Sequence, residues 1–99
     1  MAGRPYLYYA VKTFARSEKL SIGIARKVLH DDGFKIGNTV TWEQFGDNAD
    51  TLVLVTSVPL SASKTYVSVV ASSNNQASAQ MWAPRIMQAI EKSKMVAID

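Results

Sequence analysis

Thr51-Leu52-Val53-Leu54-Val55-Thr56-Ser57-Val58 is the stretch whose reading decides the fold. It is nearly all apolar at its start and rich in β-branched residues, so it reads as a central strand with both sides at least partly covered. Pro59 follows and is expected to end the ladder, because it has no N–H to donate. Turn chemistry flanks the run on both sides, with Gly46-Asp47-Asn48-Ala49-Asp50 before it and Ser61-Ala62-Ser63-Lys64 after it. Beyond those turns lie two more strand patterns. Residues 38–45 alternate Val40, Trp42 and Gln44 against Thr39, Thr41 and Glu43. Residues 65–71 place Val67, Val69 and Ala71 on one face, with Tyr66, Ser68 and Val70 on the other. Connections this short imply antiparallel hairpins.

A helix is expected on each side of this block. Ser17 can cap the first by accepting a backbone N–H, and Glu18 then suits the positive end of the helix dipole. Leu20, Ile24 and Val28 recur at helical spacing, with Ala25 and Leu29 beside them, while Arg26 and Lys27 fall toward solvent. Asp32-Gly33 stops this helix, and Phe34 can fold back onto its last turn. The second helix lies within residues 76–94, where Trp82, Ile86 and Ile90 stack at four-residue intervals. Pro84 interrupts it. A proline there removes one hydrogen bond and costs about 3 kcal/mol, so a kink or a break is expected.

Residues 6–14, Tyr-Leu-Tyr-Tyr-Ala-Val-Lys-Thr-Phe, read as a strand from their aromatic and β-branched content. A helix starting at Pro5 is the rival reading, with Leu7, Val11 and Phe14 as its stripe. In the strand, Leu7, Tyr9, Val11 and Thr13 share one face. Residues 95–98 (Met95, Val96, Ala97, Ile98) suit a short last strand. The expectation is one α+β domain over residues 1–99, a two-layer sandwich in the order β-α-β-β-β-α-(β). Its antiparallel sheet has four strands, or five with the last, and both helices lie on one face. Tyr6, Tyr8 and Trp42 are expected on the other face, as aromatic surface that could seek a partner.

Composition bounds the function. The 99 residues are 47% apolar and 19% charged, as in ordinary globular domains. No apolar run nears the ~20 residues of a membrane-spanning helix, and Arg4 and Pro5 interrupt any signal-like start. The chain reads as soluble, either cytoplasmic or the mature part of an exported protein, with the compartment undetermined. With no cysteine, disulfides, thiolate nucleophiles and thiolate metal sites are excluded. Residues 1–37 carry seven basic against three acidic side chains, residues 38–75 one against three, and the remainder three against two. A basic first third hints at an anionic partner, although a solvated face explains it as well.

Motifs for chemistry are thin. His30-Asp31-Asp32 has metal-like residue types, but neighbours on a helix diverge by about 100° and no second histidine exists. A helix end accounts for the three residues. No Gly-x-Ser-x-Gly elbow occurs, and Ser61-Ala62-Ser63-Lys64-Thr65 lacks the glycines of a phosphate loop. Ser72, Ser73, Asn74 and Asn75 follow a strand and enter a helix, so they are the candidate polar or anion-binding corner; helix capping is the ordinary explanation for such residues. The helix, three strands and helix are similar in order to double-stranded RNA-binding domains. That resemblance implies a Lys-rich start to the second helix, where this chain reads Ser-Ser-Asn-Asn-Gln-Ala-Ser. No catalytic, cofactor or metal residue is assigned. The first expectation is a non-catalytic binding or assembly domain acting through a sheet face or edge, with a protein partner or a second copy. Its candidate surface residues are Tyr6, Tyr8, Trp42, Arg26 and Lys27. The alternatives are an anion or nucleic-acid binder using the basic first third, and an enzyme of unfamiliar type, which has the least support.

Overall fold

The computed structural model describes residues 5–40 and 42–93, and the side chains of residues 38–40 are outside that description. The elements are β1 (Tyr6–Phe14), α1 (Glu18–Asp31), β2 (Lys35–Val40), β3 (Glu43–Asp47), β4 (Thr51–Ser61), β5 (Lys64–Ser73) and α2 (Gln76–Lys92). All neighbouring strands pair antiparallel, in the spatial order β1-β5-β4-β3-β2. The α+β sandwich is therefore as the sequence implies. The stretch Thr51 to Val58 lies in β4, at the centre of the sheet. Residues 6–14 form a strand, and β1 closes the sheet by pairing with β5 without a register break. The candidate last strand at residues 95–98 lies outside the described residues.

The strand count reaches five by a different route. Residues 38–45 do not form one strand: the chain reverses at Trp42, whose φ is +72°, and divides β2 from β3. Four strands, not three, thus separate the helices. A positive φ is unusual for a bulky residue, and no Gly, Asn or Pro marks this turn in the sequence. The alternating pattern hides the reversal, because it runs through the turn. A bulge between Ile36 and Thr39 then shifts the register of β2 on β3. Buried Gln44 serves that bulge: its Nε2 donates to the carbonyls of Gly37 at 3.1 Å and Phe45 at 2.9 Å.

Pro59 does not end its strand. β4 continues to Ser61, with an irregularity between Pro59 and Ser61. The pairs with β3 run only from Leu52 to Thr56, so Pro59 sits where β4 has β5 as its single neighbour, the setting in which a sheet tolerates proline. Pro84 does not break its helix either, since α2 runs through it as one element of 17 residues. Both Gln80 and Pro84 are exposed, so the Gln80 carbonyl left without an N–H partner can turn to water.

The helices cover one face of the sheet. Ile24, Leu29, Ile86 and Ile90 are fully buried against Val53, Val55, Val67, Val69 and Ala71. Burial of each large side chain contributes roughly 1.5–3 kcal/mol. Ser17 caps α1 by accepting from Leu20 N at 3.2 Å, and Gly33, at φ +86°, ends it. Phe34 then turns inward, donates its N–H to Leu29 O at 2.9 Å and meets Trp82 edge to face at 4.7 Å. Gly46 leaves room for that arrangement, because a Cβ there would lie 3.2 Å from both Leu29 and Phe34. Arg16 ties β1 to the far end of α2. Its guanidinium sits 4.7 Å from the centre of the Phe14 ring and donates to Ile90 O at 2.9 Å and Ser93 O at 3.3 Å.

Replacing Pro84 by Ala restores the missing helix donor at an exposed position. Urea unfolding of P84A is expected to show about 1–2 kcal/mol more stability than the parent, the helix gain being partly offset by a freer unfolded chain. A loss of stability would mean that the proline ring itself packs usefully.

Candidate functional site

Among the described residues no helix lies over the second face of the sheet. Alternation along the strands assigns its side chains, because the helix-side positions of β4 and β5 are buried and those between them are not. The pairing registers then arrange this face in rows. One row runs Leu7, Ser72, Leu52, Asp47; the next runs Tyr9, Val70, Leu54, Phe45. A third runs Val11, Ser68, Thr56, Glu43, and a fourth holds Thr13, Tyr66 and Val58. The second row is apolar across four strands. Tyr9 is 70% exposed, Leu7 61%, Leu52 48% and Val11 47%. With strands about 4.8 Å apart and rows about 6.8 Å apart, the four rows cover roughly 500 Å² in plan, of which the apolar positions account for roughly 300 Å². An apolar patch of a few hundred Å² is the size at which interaction sites are found.

Charge is confined to the margins of this face. Glu43 and Asp47 stand on β3, and Lys35 pairs with Asp47 from β2 at the sheet edge. Lys64 marks the hairpin end of β5. The other described charges gather on the helix layer and its rim, where several are matched. Lys27 meets Asp31 at 2.7 Å, Arg85 approaches Asp32 at 3.9 Å and stacks 5.0 Å from the Trp82 ring, and Lys12 bonds Glu91. These partners hold the carboxyls of Asp31 and Glu91 below the usual carboxylate range, chiefly through the hydrogen bonds from Lys27 and Lys12. Such exposed pairs contribute little to stability.

The residues singled out from the sequence do not form one surface. Tyr8 faces the helices: it packs on the core, and its hydroxyl accepts from Gln76 Nε2 at 3.1 Å. Tyr6 has the same parity at the end of β1 and is exposed, while Trp42 is exposed in the turn between β2 and β3. On β1 the uncovered aromatic and aliphatic surface therefore consists of Leu7, Tyr9 and Val11 rather than Tyr6 and Tyr8. Arg26 and Lys27 lie on α1, in the helix layer, and Arg26 Nε donates to Gln44 Oε1 at 3.3 Å. Lys12 conceals the parity of β1. It suggests a solvated face, yet its stem runs along the helix layer and its ammonium reaches Glu91 at the end of α2.

The corner at Ser72, Ser73, Asn74 and Asn75 is an acid-lined depression shared with the β3–β4 turn, including Asp47 and Asp50. Its polar groups engage one another. Asn75 caps α2 by accepting from Ser78 N at 3.1 Å, and buried Ser73 donates to Asp50 O at 2.6 Å. The Asp50 carboxylate accepts from Ser78 Oγ at 2.7 Å and Thr51 Oγ1 at 2.8 Å. The helix has no acidic residue in its own first turn, so Asp50 brings negative charge to its positive end from another hairpin. An incoming anion would meet that carboxylate. Among the described residues no group of three or more His, Asp or Glu side chains is placed to hold a metal ion. His30 is exposed at the end of α1, 3.7 Å from Asp31.

No family model matches the chain, no curated protein matches it, and no solved structure matches its fold. No helix among the described residues is long and apolar enough to cross a membrane.

Hydrogen bonds from Ser78 and Thr51 hold the Asp50 carboxyl below its ordinary value of 3.8. A depressed folded-state pKa stabilises the fold above the unfolded value, and that stabilisation fades as the pH falls through the folded value. D50N is therefore expected to melt below the parent at neutral pH, with the gap closing once the pH falls below 3.8. Thermal melts across that range check this, and a gap independent of pH would remove the charge from the explanation.

Proposed function

We propose that the protein is a small, non-catalytic assembly domain that pairs with a second copy of itself through the open face of its sheet. The observation that carries this reading is the pattern of β4. Leu52, Leu54 and Val58 make its outward side nearly as apolar as the inward side of Val53 and Val55, the signature of a strand buried on both faces. The chain's own helices cover one of them. Pairing two copies would remove roughly 1,000 Å² in plan from water, about the smallest area expected of a biological interface. The face also suits its own copy, with acids on β3 and serine hydroxyls on β5, on opposite sides of the apolar residues of β4.

A single-stranded nucleic acid is the competing occupant, since Tyr9, Phe45 and Tyr66 could stack bases. Phosphates need cations beside the rings. This face offers Lys35 and Lys64 at its margins, offset by Glu43 and Asp47. The charge balance supports a protein surface.

Tyr9 is exposed enough to be replaced without disturbing the core. Sedimentation velocity over a concentration series is expected to show a dimer for the parent, with association weakened about 30-fold or more in Y9E, which replaces an exposed aromatic side chain of the apolar row by a carboxylate. The R26A/K27A double variant should associate like the parent. A parent that stays monomeric at high concentration would end the reading, and so would salt-sensitive oligonucleotide binding that is lost in Y9E.

A further inference from the structure

The proposed pair can be oriented from the distribution of charge on the face, an inference that rests on the second-copy reading. Two sheets packed face to face and aligned within about 30° can be related by a two-fold axis along the strands or across them. An axis across the strands lays β3 on the partner's β3. The acids of the face, Glu43 and Asp47, both stand on β3, so that arrangement gathers four carboxylates along one line in an apolar interface. An axis along β4 avoids this. It lays β3 over the partner's β5, whose outward residues are Ser72, Val70, Ser68 and Tyr66.

We infer that the two-fold axis runs along β4, with Leu54 and Thr56 meeting their own copies at the centre. Reading across the rows, Asp47 then stands over the partner's Ser72 and Glu43 over the partner's Ser68, so that each carboxylate faces a hydroxyl donor. Phe45 stands over the partner's Val70, in the row that is apolar across four strands. β1 lies over the partner's β2, which places Tyr9 above the margin where Gly37 adjoins Phe45 and projects no side chain. The ~30° rotation between aligned sheets displaces the centre least, so Leu54 and Thr56 stay close to their copies while the outer contacts shift by less than about one row. The charged helix layers of both copies remain on the outside of a four-layer assembly.

The absence of native cysteine makes the test direct. Single variants L54C, T56C and Y9C are treated with a short bismaleimide, and their association is followed in parallel by sedimentation. With the axis along β4, L54C and T56C are expected to cross-link to themselves. The two Tyr9 positions are then about 19 Å apart laterally, four strand spacings, and Y9C is expected not to cross-link. A dimer in which Y9C cross-links efficiently places β1 on the partner's β1 and overturns the axis, leaving the pairing of faces intact. A dimer in which none of the three cross-links overturns both the axis and the pairing of faces. A parent and variants that are all monomeric overturn the second-copy reading itself.

Discussion

The packing of α1 and α2 against Val53, Val55, Val67, Val69 and Ala71 is the interaction on which the rest of this structure depends. It builds the single core and fixes which side of every strand points inward. It also sets a limit. Two helices of 14 and 17 residues lie over one face of a five-stranded sheet. Everything distinctive about the outer surface follows from the face they do not reach.

The molecule is two-sided as a result. Its helix layer carries Lys27, Asp31, Asp32, Arg85 and Glu91, with several charges matched within the chain. Its sheet face carries Leu7, Tyr9, Val11, Leu52 and Tyr66 in the open. Basic residues that look available in a linear count are partly occupied in space: Arg16 secures the last turn of α2, and Lys12 bridges to Glu91. In the polar corner, Ser73 and Asn75 are likewise engaged in capping α2 and in holding the hairpin that brings Asp50 to its start. Among the described residues no comparable layer covers the other face of the sheet.

Some departures from the sequence expectation share a cause. The turn at Trp42 uses a positive φ without the residues that normally announce one, so a run of alternating side chains concealed a reversal. Pro59 and Pro84 are both accommodated within their elements. The first sits on a stretch of β4 beyond its β3 neighbour, and the second on the exposed side of α2. In each case a local rule is relaxed because the backbone group it protects faces no protein partner. The parity of β1 escaped for another reason: its two faces are about equally apolar, and the one charge on it bends along the helix layer.

The sequence by itself determined the class of fold, the central place of the stretch from Thr51 to Val58, the caps at Ser17 and Gly33, and the stripes of Ile24, Val28, Ile86 and Ile90. These are local matters, settled by period, capping chemistry and the conformational freedom of glycine. Only the tertiary structure decided which apolar face the helices take and which they leave. That choice depends on strand registers and on where each helix comes to rest, as when Gly46 admits Leu29 and Phe34. Residues distant in sequence, such as Tyr9, Phe45, Leu54 and Val70, become one row only through three strand pairings. No local pattern along the chain contains that row, because it runs at right angles to the chain.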